Sequence, residues 1–203
     1  MGTLNSSAYV GIQEDAAGSM VWDDEEVSHT QVTLRSLELD DWRAVHAFTS
    51  LPEASRYQPW GPNTKADTRA FVQAAVAVWE QNPQQRFVYA ACLAGEIVGL
   101  GELKIRDKVQ RQAEISYIVH PRVWGHGVAT ATGQELLATG FEKLKLHRIF
   151  ASCDPRNLAS HRVLTKLGMT YEGCLRQTVL LRDGWRDSEV FSLLEHEWDA
   201  RTG

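Results

Sequence analysis

The chain has 203 residues, a net charge of −5 and ordinary fractions of apolar and charged residues, which is typical of one globular domain with a sizeable core. Residues 1–28 contain six of the carboxylates and no Lys or Arg, so the remainder carries about +1. A body without a basic field argues against binding to DNA or RNA. We expect 1–28 to be a flexible acidic extension and 29–203 to be a single domain.

The cysteines and the apolar segments predict a cytoplasmic protein that does not enter a membrane. Cys92, Cys153 and Cys174 are widely spaced and lie beside apolar residues, as free thiols in a reducing compartment do. The first residues lack the features of a secretory signal, and no segment reaches the ~18 continuous apolar residues of a transmembrane helix. No Cys or His has the spacing of a metal ligand, so no metal is expected.

Apolar periodicity and turn residues predict the elements in chain order. A strand over 32–37 precedes a helix over 40–49, which Asp40 can cap. A loop over 51–63 with three prolines then leads to a helix over 65–81. The later elements are strands over 87–93, 97–105 and 113–119, a helix over 128–144, a strand over 147–153, a helix over 157–167, and strands over 171–182 and 185–194. This order predicts an α/β (α+β) fold, with a mixed sheet and helices on both faces.

A glycine-containing segment, Arg122-x-x-Gly125-x-Gly127-x-Ala129, joins the third of these later strands to a helix. Glycines let a ligand approach the backbone N–H groups, and the following helix adds unpaired N–H groups and the positive end of its dipole. The segment therefore predicts an anion site suited to a pyrophosphate. It lacks the third glycine of the dinucleotide fingerprint, where Thr130 stands. The alternative is a turn whose glycines serve only packing.

This motif and the element order resemble the GNAT superfamily of acyl-CoA-dependent N-acetyltransferases over about residues 30–198. Within it, the chain is similar to the Rim-type branch, which includes enzymes that acetylate the N-termini of ribosomal proteins. The branch signatures are Ala113-Glu-Ile-Ser-Tyr117, Asn157-Leu-Ala-Ser160, Lys166-Leu-Gly-Met169, Glu172-Gly-Cys-Leu-Arg176 and the tail Asp183-Gly-Trp, Asp187 and Ser192-Leu-Leu.

The resemblance implies a mostly antiparallel sheet with a splayed strand pair at the CoA site, and acetyl-CoA as cosubstrate. Main chain near Val119 would lie beside the thioester and offer an N–H to the oxyanion, and the N–H groups of 124–130 would bind the phosphates. The implied cofactor-binding residues are Ile118, Val119, Arg122, Trp124, Gly125, His126, Gly127, Val128, Ala129, Thr130, Asn157 and Ser160.

The resemblance also suggests residues for proton transfer. Glu114 is the expected general base, acting directly or through water; its alternative is a structural carboxylate paired with an Arg or Lys of a neighbouring strand. Ser160 is the expected acid for the departing thiolate, because many members have a tyrosine where this chain has Leu164. Asn157 and Ser160 have the alternative of a helix cap. The related Rim-type serine acetyltransferase has its base at a position that is Val179 here.

The acceptor remains open at this point. Tyr57 and Trp60, in the loop over 51–63, are candidates for the acceptor pocket, or else anchors that hold the loop to the core. A protein N-terminus and a small amine such as an antibiotic, an amino acid or a polyamine are all compatible with the sequence. A regulatory module that binds acyl-CoA without turnover is the alternative from another class. Tryptophans at predicted strand edges are compatible with a homodimer.

Overall fold

The computed structural model describes residues 12–14, 20–22 and 32–202 of the chain. The predicted extension over 1–28 therefore lies mostly outside the described residues. Its two described pieces, β1 (Ile12–Glu14) and β2 (Met20–Trp22), pair as antiparallel strands. This strand pair was not predicted from the sequence.

Seven further strands form one mixed sheet. They are β3 (Val32–Ser36), β4 (Arg86–Leu93), β5 (Glu96–Asp107), β6 (Gln112–Val119), β7 (Arg148–Cys153), β8 (Thr170–Leu181) and β9 (Gly184–Leu194). Their order is β3-β4-β5-β6-β7-β9-β8, and only β6 and β7 run parallel. The predicted mixed, mostly antiparallel sheet is thereby confirmed.

Helices cover both faces of this sheet. They are α1 (Trp42–Thr49), α2 (Lys65–Ala77), α3 (Val128–Ala138), α4 (Leu158–Lys166) and α5 (Glu195–Thr202). Helices α1 and α2 pack on one face around the buried Phe48, and α3 and α4 pack on the other around the buried Ile115. Each such fully buried side chain contributes about 1.5–3 kcal/mol relative to an exposed one.

The element order is as predicted, and the helix ends differ for local reasons. The predicted helix over 65–81 ends its α-helical part at Ala77 and finishes in a 3-10 turn, and the one over 128–144 continues beyond Ala138 as a π-helical turn. Asp40 is not the residue that caps the first helix. The residue before α1 is Asp41, whose side chain makes no cap hydrogen bond to α1 and instead accepts the N–H of Glu38 at 2.7 Å, at the start of the preceding 3-10 turn. Helix α5 was not predicted, because it follows β9 without an intervening turn residue.

Helix α3 lies close to its neighbours because it contains a glycine at the contact. A Cβ at Gly133 would come within 2.5 Å of Leu167 Cδ1, at the end of α4. The helix propensity that glycine sacrifices, about 1 kcal/mol, is therefore offset by close packing. At the N-terminal end of α3, Val128 and Ala131 lie in one buried cluster with Val119, which holds the glycine segment beside the end of β6.

Candidate active site

The sheet opens between its two parallel strands. The β6–β7 ladder joins only 112–114 to 148–150. Among the described strands, β6 continues from Ile115 with β5 as its one partner, and β7 continues from Ala151 with β9. A gap therefore lies between 115–119 and 151–153. This is the splayed strand pair that the family resemblance predicted.

The gap forms a cleft with about 460 Å³ of space, open to solvent. Alternate residues of a strand point to opposite faces. Ile115 and Cys153 pack with the core under α3 and α4, so Tyr117 shares their face, whereas Ser116 and Ser152 point to the face of α1 and α2. Residues of both faces line the cleft, which therefore passes through the sheet. The lining consists of Tyr57, Gln58, Ile115, Ser116, Tyr117, Ala151, Ser152, Cys153, Asp154, Asn157, Ser160, Leu164 and Arg186.

The glycine segment lies at the end of β6 and has the backbone geometry of an anion site. Gly125 has φ +87°, with no atom within 4 Å of where its Cβ would be, and Gly127 has φ +80° as the residue before α3. Both values favour glycine. The first N–H with an intrahelical acceptor is that of Ala131, which donates to Gly127 O at 2.9 Å. The N–H groups of 128–130 thus project from the positive end of the helix.

Further contacts tie this segment to its surroundings. Trp124 Nε1 donates to Val119 O at 3.2 Å, which joins the segment to the end of β6, and Val128 and Ala131 are buried. The Arg122 guanidinium pairs with Glu96 at 2.7 Å. His126, Ala129 and Thr130 are partly exposed around the same helix end.

The ladder between β5 and β6 decides which main-chain groups face the cleft. The His120 N–H donates to Val98 O at 2.7 Å, which makes Gly99 and Val119 a non-hydrogen-bonded pair of this antiparallel ladder. In such a pair the N–H groups point away from the partner strand. The Val119 N–H therefore points from β5 towards the gap, while the main chain of Ile118 is directed at β5.

The start of α4 meets Tyr117 across the cleft. Asn157 Oδ1 accepts the Ser160 N–H at 3.1 Å, so Asn157 does cap the helix. The Ser160 hydroxyl is left for Tyr117, whose Oη lies 3.2 Å from Ser160 Oγ. Burial raises the pKa of Tyr117 well above its ordinary value, and the Ser160 contact only partly opposes this. The tyrosine is therefore a neutral partner of the serine at any physiological pH.

Two other ionisable groups of the cleft each keep one protonation state at neutral pH. Burial, with Glu189 nearby, raises the pKa of the Cys153 thiol to about 11, so the thiol stays protonated. Burial would also raise the pKa of Asp154, but hydrogen bonds from Arg156 outweigh it and hold this pKa below the usual range. Neither group is thus a free nucleophile or base at neutral pH.

His120, at the end of β6, is not available as a base either. Its Nδ1 accepts the Arg122 N–H at 3.1 Å, which leaves the proton of the neutral ring on Nε2. Burial and the nearby Arg122 lower its pKa, so the ring is neutral.

Glu114 and Val179 occupy positions that matter for the choice of base. Glu114 precedes the splay, lies outside the cleft lining and accepts from Nε and Nη2 of Arg106 on β5. The side chain is nevertheless on the same face as Ser116, which lines the cleft. Val179 faces Arg186 across the β8–β9 ladder.

The loop over 51–63 reaches the cleft from the face of α1 and α2. Tyr57 lines the cleft, whereas Trp60 does not. Instead, Trp60 is 36% exposed, and its main-chain oxygen accepts from Arg182 Nη2 at 3.1 Å. The loop is therefore attached to the β8–β9 hairpin, which places Tyr57 over the opening.

Tyr117 and Arg186 are site residues that sequence reasoning did not identify. A signal for Tyr117 existed, since alternation places it on the face of β6 opposite Glu114 and therefore towards α4. No short-range signal existed for Arg186, because its position depends on the pairing of β9 beside β7 in the sheet.

In the part of the chain that the structure describes, no group of three or more His, Cys, Asp or Glu could hold a metal ion. Nor is any described helix both long and apolar enough to span a bilayer.

Comparison with known proteins shows that the chain is similar to acetyltransferases in both sequence and structure. Residues 31–170 match the family model of the acetyltransferase (GNAT) domain. The chain is 30% identical to the uncharacterized N-acetyltransferase YnaD of Bacillus subtilis (strain 168), over 85% of this chain and 99% of that protein. It is 29% identical to the spermidine N(1)-acetyltransferase of Escherichia coli (strain K12), over 83% and 89%. The crystal structure of the acetyltransferase (GNAT family) from Bacillus anthracis superposes with a TM-score of 0.73 at 31% identity, over 82% and 96%.

Proposed function

We propose that this chain, which belongs to the GNAT acetyltransferase family and is an acyl-CoA-dependent N-acetyltransferase, passes the acetyl group directly to a primary amine. The transfer would take place in the cleft. The observation that carries this is the lining of the cleft from both faces of the sheet. Acetyl-CoA would approach from the side of α3 and α4, and the amine from the side of α1 and α2, so that the two meet in the gap.

The cofactor site is proposed at the glycine segment. The N–H groups of 124–130 and the positive end of α3 would bind the pyrophosphate, and the open space beside Gly125 leaves room for it. The pantetheine arm would then run along the gap beside Asn157 and Ser160. The Val119 N–H is directed at this gap and is our candidate for the oxyanion donor.

The proton for the departing thiolate would come from Ser160. The neutral amine attacks the thioester carbon, and the attacking nitrogen passes its extra proton to water as the tetrahedral intermediate forms. The oxyanion then collapses, the C–S bond breaks, and the leaving sulfur takes the hydroxyl proton of Ser160. Because Tyr117 stays neutral, its hydroxyl can donate to Ser160 Oγ while that proton moves to the sulfur. The proton that the nitrogen gave to water restores the Ser160 hydroxyl, so that no free alkoxide accumulates. A tyrosine on β6 would thus support the step for which Leu164 offers no hydroxyl.

Direct attack is favoured over an acetyl-enzyme because the one thiol of the cleft lining is a poor nucleophile. Only the thiolate attacks a thioester readily, and a Cys153 pKa of about 11 keeps that form scarce.

The general base that deprotonates the amine is a separate question. Glu114 stays our candidate from the sequence, acting through water, since its carboxylate is engaged with Arg106 and lies outside the cleft lining.

We further propose an α-amine as the acceptor. An α-amine, with a pKa of about 7.7–8.0, has an appreciable neutral fraction at neutral pH, whereas a lysine-like amine at about 10.4 needs a base. The free ionisable groups of the cleft include no carboxylate that could serve an alkylamine directly. The Rim-type signatures support a protein N-terminus or a related α-amine, and the spermidine relative makes a polyamine the second candidate. The cytoplasmic location and a homodimer stay predictions from the sequence.

The test is CoA release from acetyl-CoA with a panel of amines: peptides with different first residues, amino acids, and spermidine. We expect release to depend on the amine and to saturate with it. Saturable CoA binding without release above background for any amine would support the non-catalytic binding module instead.

A further inference from the structure

Arg186 places a positive charge on the wall of the cleft that faces α1 and α2. It lies on β9 and lines the cleft together with Tyr57 and Ser116. Its Nη1 donates to Asp187 O at 3.2 Å and to Ser188 Oγ at 3.0 Å. Ser188 Oγ is in turn 2.5 Å from Thr178 Oγ1. One edge of the guanidinium is therefore fixed by the hairpin itself.

A second donor of the same guanidinium lacks a hydrogen-bond partner in the described part of the chain. Arg186 Nε is buried and has no hydrogen-bond partner among the residues that the structure describes. A buried donor of a charged group is costly when left unpaired. The side chain that carries this unpaired donor lines the cleft, so a ligand whose acceptor oxygen pairs with the guanidinium gains binding free energy.

Asp154 and Asp183 take their hydrogen bonds from a different arginine, although Asp154 also interacts electrostatically with Arg186. Glu189 on the same strand has one buried carboxylate oxygen without a hydrogen-bond partner among the described residues. Asp154 accepts from Arg156 Nε at 3.0 Å and Nη2 at 2.7 Å, and Asp183 accepts from Arg156 Nη1 at 2.7 Å. Directly across the ladder, Arg186 faces Val179, which is apolar. This is the position at which the Rim-type resemblance would place the general base. The charge of Arg186 is thus not neutralised by its cross-strand neighbour.

Two further arginines contact the loop that contributes Tyr57 to the cleft. Arg56 lies 5.4 Å from the ring centroid of Tyr57, and Arg182 donates to Trp60 O at 3.1 Å. A polyamine that enters here would meet like charges, which lowers its affinity. An acceptor with a negative group would be attracted.

We propose that Arg186 binds a carboxylate of the acceptor, so that the preferred substrate is an amine with a carboxylate a few atoms from its nitrogen, as in an amino acid, rather than a polyamine. The planar guanidinium suits a carboxylate, and hydrogen bonds between charged groups are about twice as strong as neutral ones. The inference rests on the proposed acetyl transfer and specifies its acceptor. The carboxylate has two sources, a free amino acid or an acidic residue near a peptide N-terminus.

The experiment compares kcat/KM for amino acids, their amides, peptides with Asp or Asn as second residue, and spermidine, each expressed per neutral amine. An amide keeps the amine and side chain but removes the carboxylate. We expect the acid to exceed its amide by about tenfold or more, the low end of what a charge-assisted hydrogen bond contributes. A preference confined to Asp over Asn peptides supports the same role with a peptide as source.

Arg186→Met should bring the acid-to-amide ratio towards one, and Arg186→Lys should retain part of it. Arg176→Met, at an exposed position of β8 outside the cleft lining, should leave the ratio unchanged. Equal use of acid and amide by the wild type, a preference for spermidine, or an equal loss for all acceptors in Arg186→Met would overturn the inference while leaving acetyl transfer intact. CoA release with no amine at all would contradict the proposed function, and the inference with it.

Discussion

The two sides of the cleft are built in different ways. On the side of α3 and α4, the candidate groups are main-chain N–H groups at a helix start and a capped serine, fixed by short stretches of sequence around Gly127 and Asn157. On the side of α1 and α2, the wall is made of side chains from four separate segments, among them Tyr57 and Arg186. The first side depends little on side-chain identity and suits an invariant cofactor. The second can change with the loop and the hairpin, so the acceptor can change without loss of the cofactor site.

The largest effect is expected on the cofactor side. Gly127→Glu would place bulk and negative charge where the pyrophosphate is proposed, on a residue with φ +80°. We expect CoA affinity to fall by about 100-fold or more, or about 2.7 kcal/mol, by isothermal titration calorimetry. Gly127→Ala is the matched control, since it introduces a similar backbone strain without the charge and should retain more affinity. Unchanged affinity in Gly127→Glu would place the pyrophosphate elsewhere.

Ser160→Ala should lower kcat while CoA affinity stays similar. Loss of a general acid typically costs 10²–10⁴-fold, and because solvent can also protonate a thiolate we expect about 100-fold. Stopped-flow or steady-state CoA release at saturating acetyl-CoA measures it. If kcat is unchanged while the melting temperature falls, Ser160 serves only the start of α4.

Tyr117→Phe should have a smaller effect of the same kind, about tenfold on kcat, because it removes a hydrogen bond to Ser160 rather than the proton donor. Since the pKa of Tyr117 is raised, its neutral form persists through the neutral range, and the loss should be constant between about pH 6 and 9. The double variant with Ser160→Ala should be no slower than Ser160→Ala alone. Additive losses would mean that the two hydroxyls act independently.

Glu114→Gln should lower turnover several-fold, and most at low pH, where the amine is largely protonated and a base matters. Arg106→Gln is the matched control, because it breaks the same ion pair but keeps the carboxylate. A partly exposed pair of this kind contributes about 0–1 kcal/mol, so both variants should fold normally. A loss that is equal at every pH, or equal in both variants, would assign Glu114 a structural role.

The smallest effect concerns stability at the acceptor side. The pKa of Asp154 is lowered in the folded protein, so the stability it contributes is complete above its ordinary pKa of about 3.9 and is lost as the pH falls through the lower folded value. In Arg156→Gln, burial without this partner should raise the pKa instead. The deficit of this variant in urea unfolding should then be greatest at neutral pH and shrink as the pH falls towards 4. A constant deficit would show that Asp154 does not titrate with folding.

Most of the fold and the cofactor side could be predicted from the sequence, because both depend on short-range signals. Alternating strands, helix periodicity and the glycines at 125 and 127 are local, and they predicted the element order and an anion site. The splayed strand pair was predicted from the family resemblance. The Asn157 cap was likewise visible from residue type and spacing. Helix α5 was missed since Glu195–Thr202 is polar and follows β9 directly.

The acceptor side could not be predicted because it depends on contacts between distant segments. Nothing local to Trp60 indicates that its carbonyl is held by Arg182 while Tyr57 reaches the cleft. The ion pair between Glu114 and Arg106 depends on the β5–β6 register. The sequence therefore left both a catalytic and a structural role open for Glu114. Arg186 is exposed to the cleft only because β9 lies beside β7 in the folded sheet.

Direct transfer moves the acetyl group from CoA to the amine without an acetyl-enzyme intermediate. The most direct measurement is a single-turnover reaction with enzyme in excess over acetyl-CoA labelled in its acetyl group, quenched at intervals with and without an acceptor amine. Direct transfer predicts that the label moves from CoA to the amine, that the protein is never labelled, and that CoA is not released without amine. Label on Cys153 or any other residue before product forms, with CoA released in the absence of amine, would contradict it.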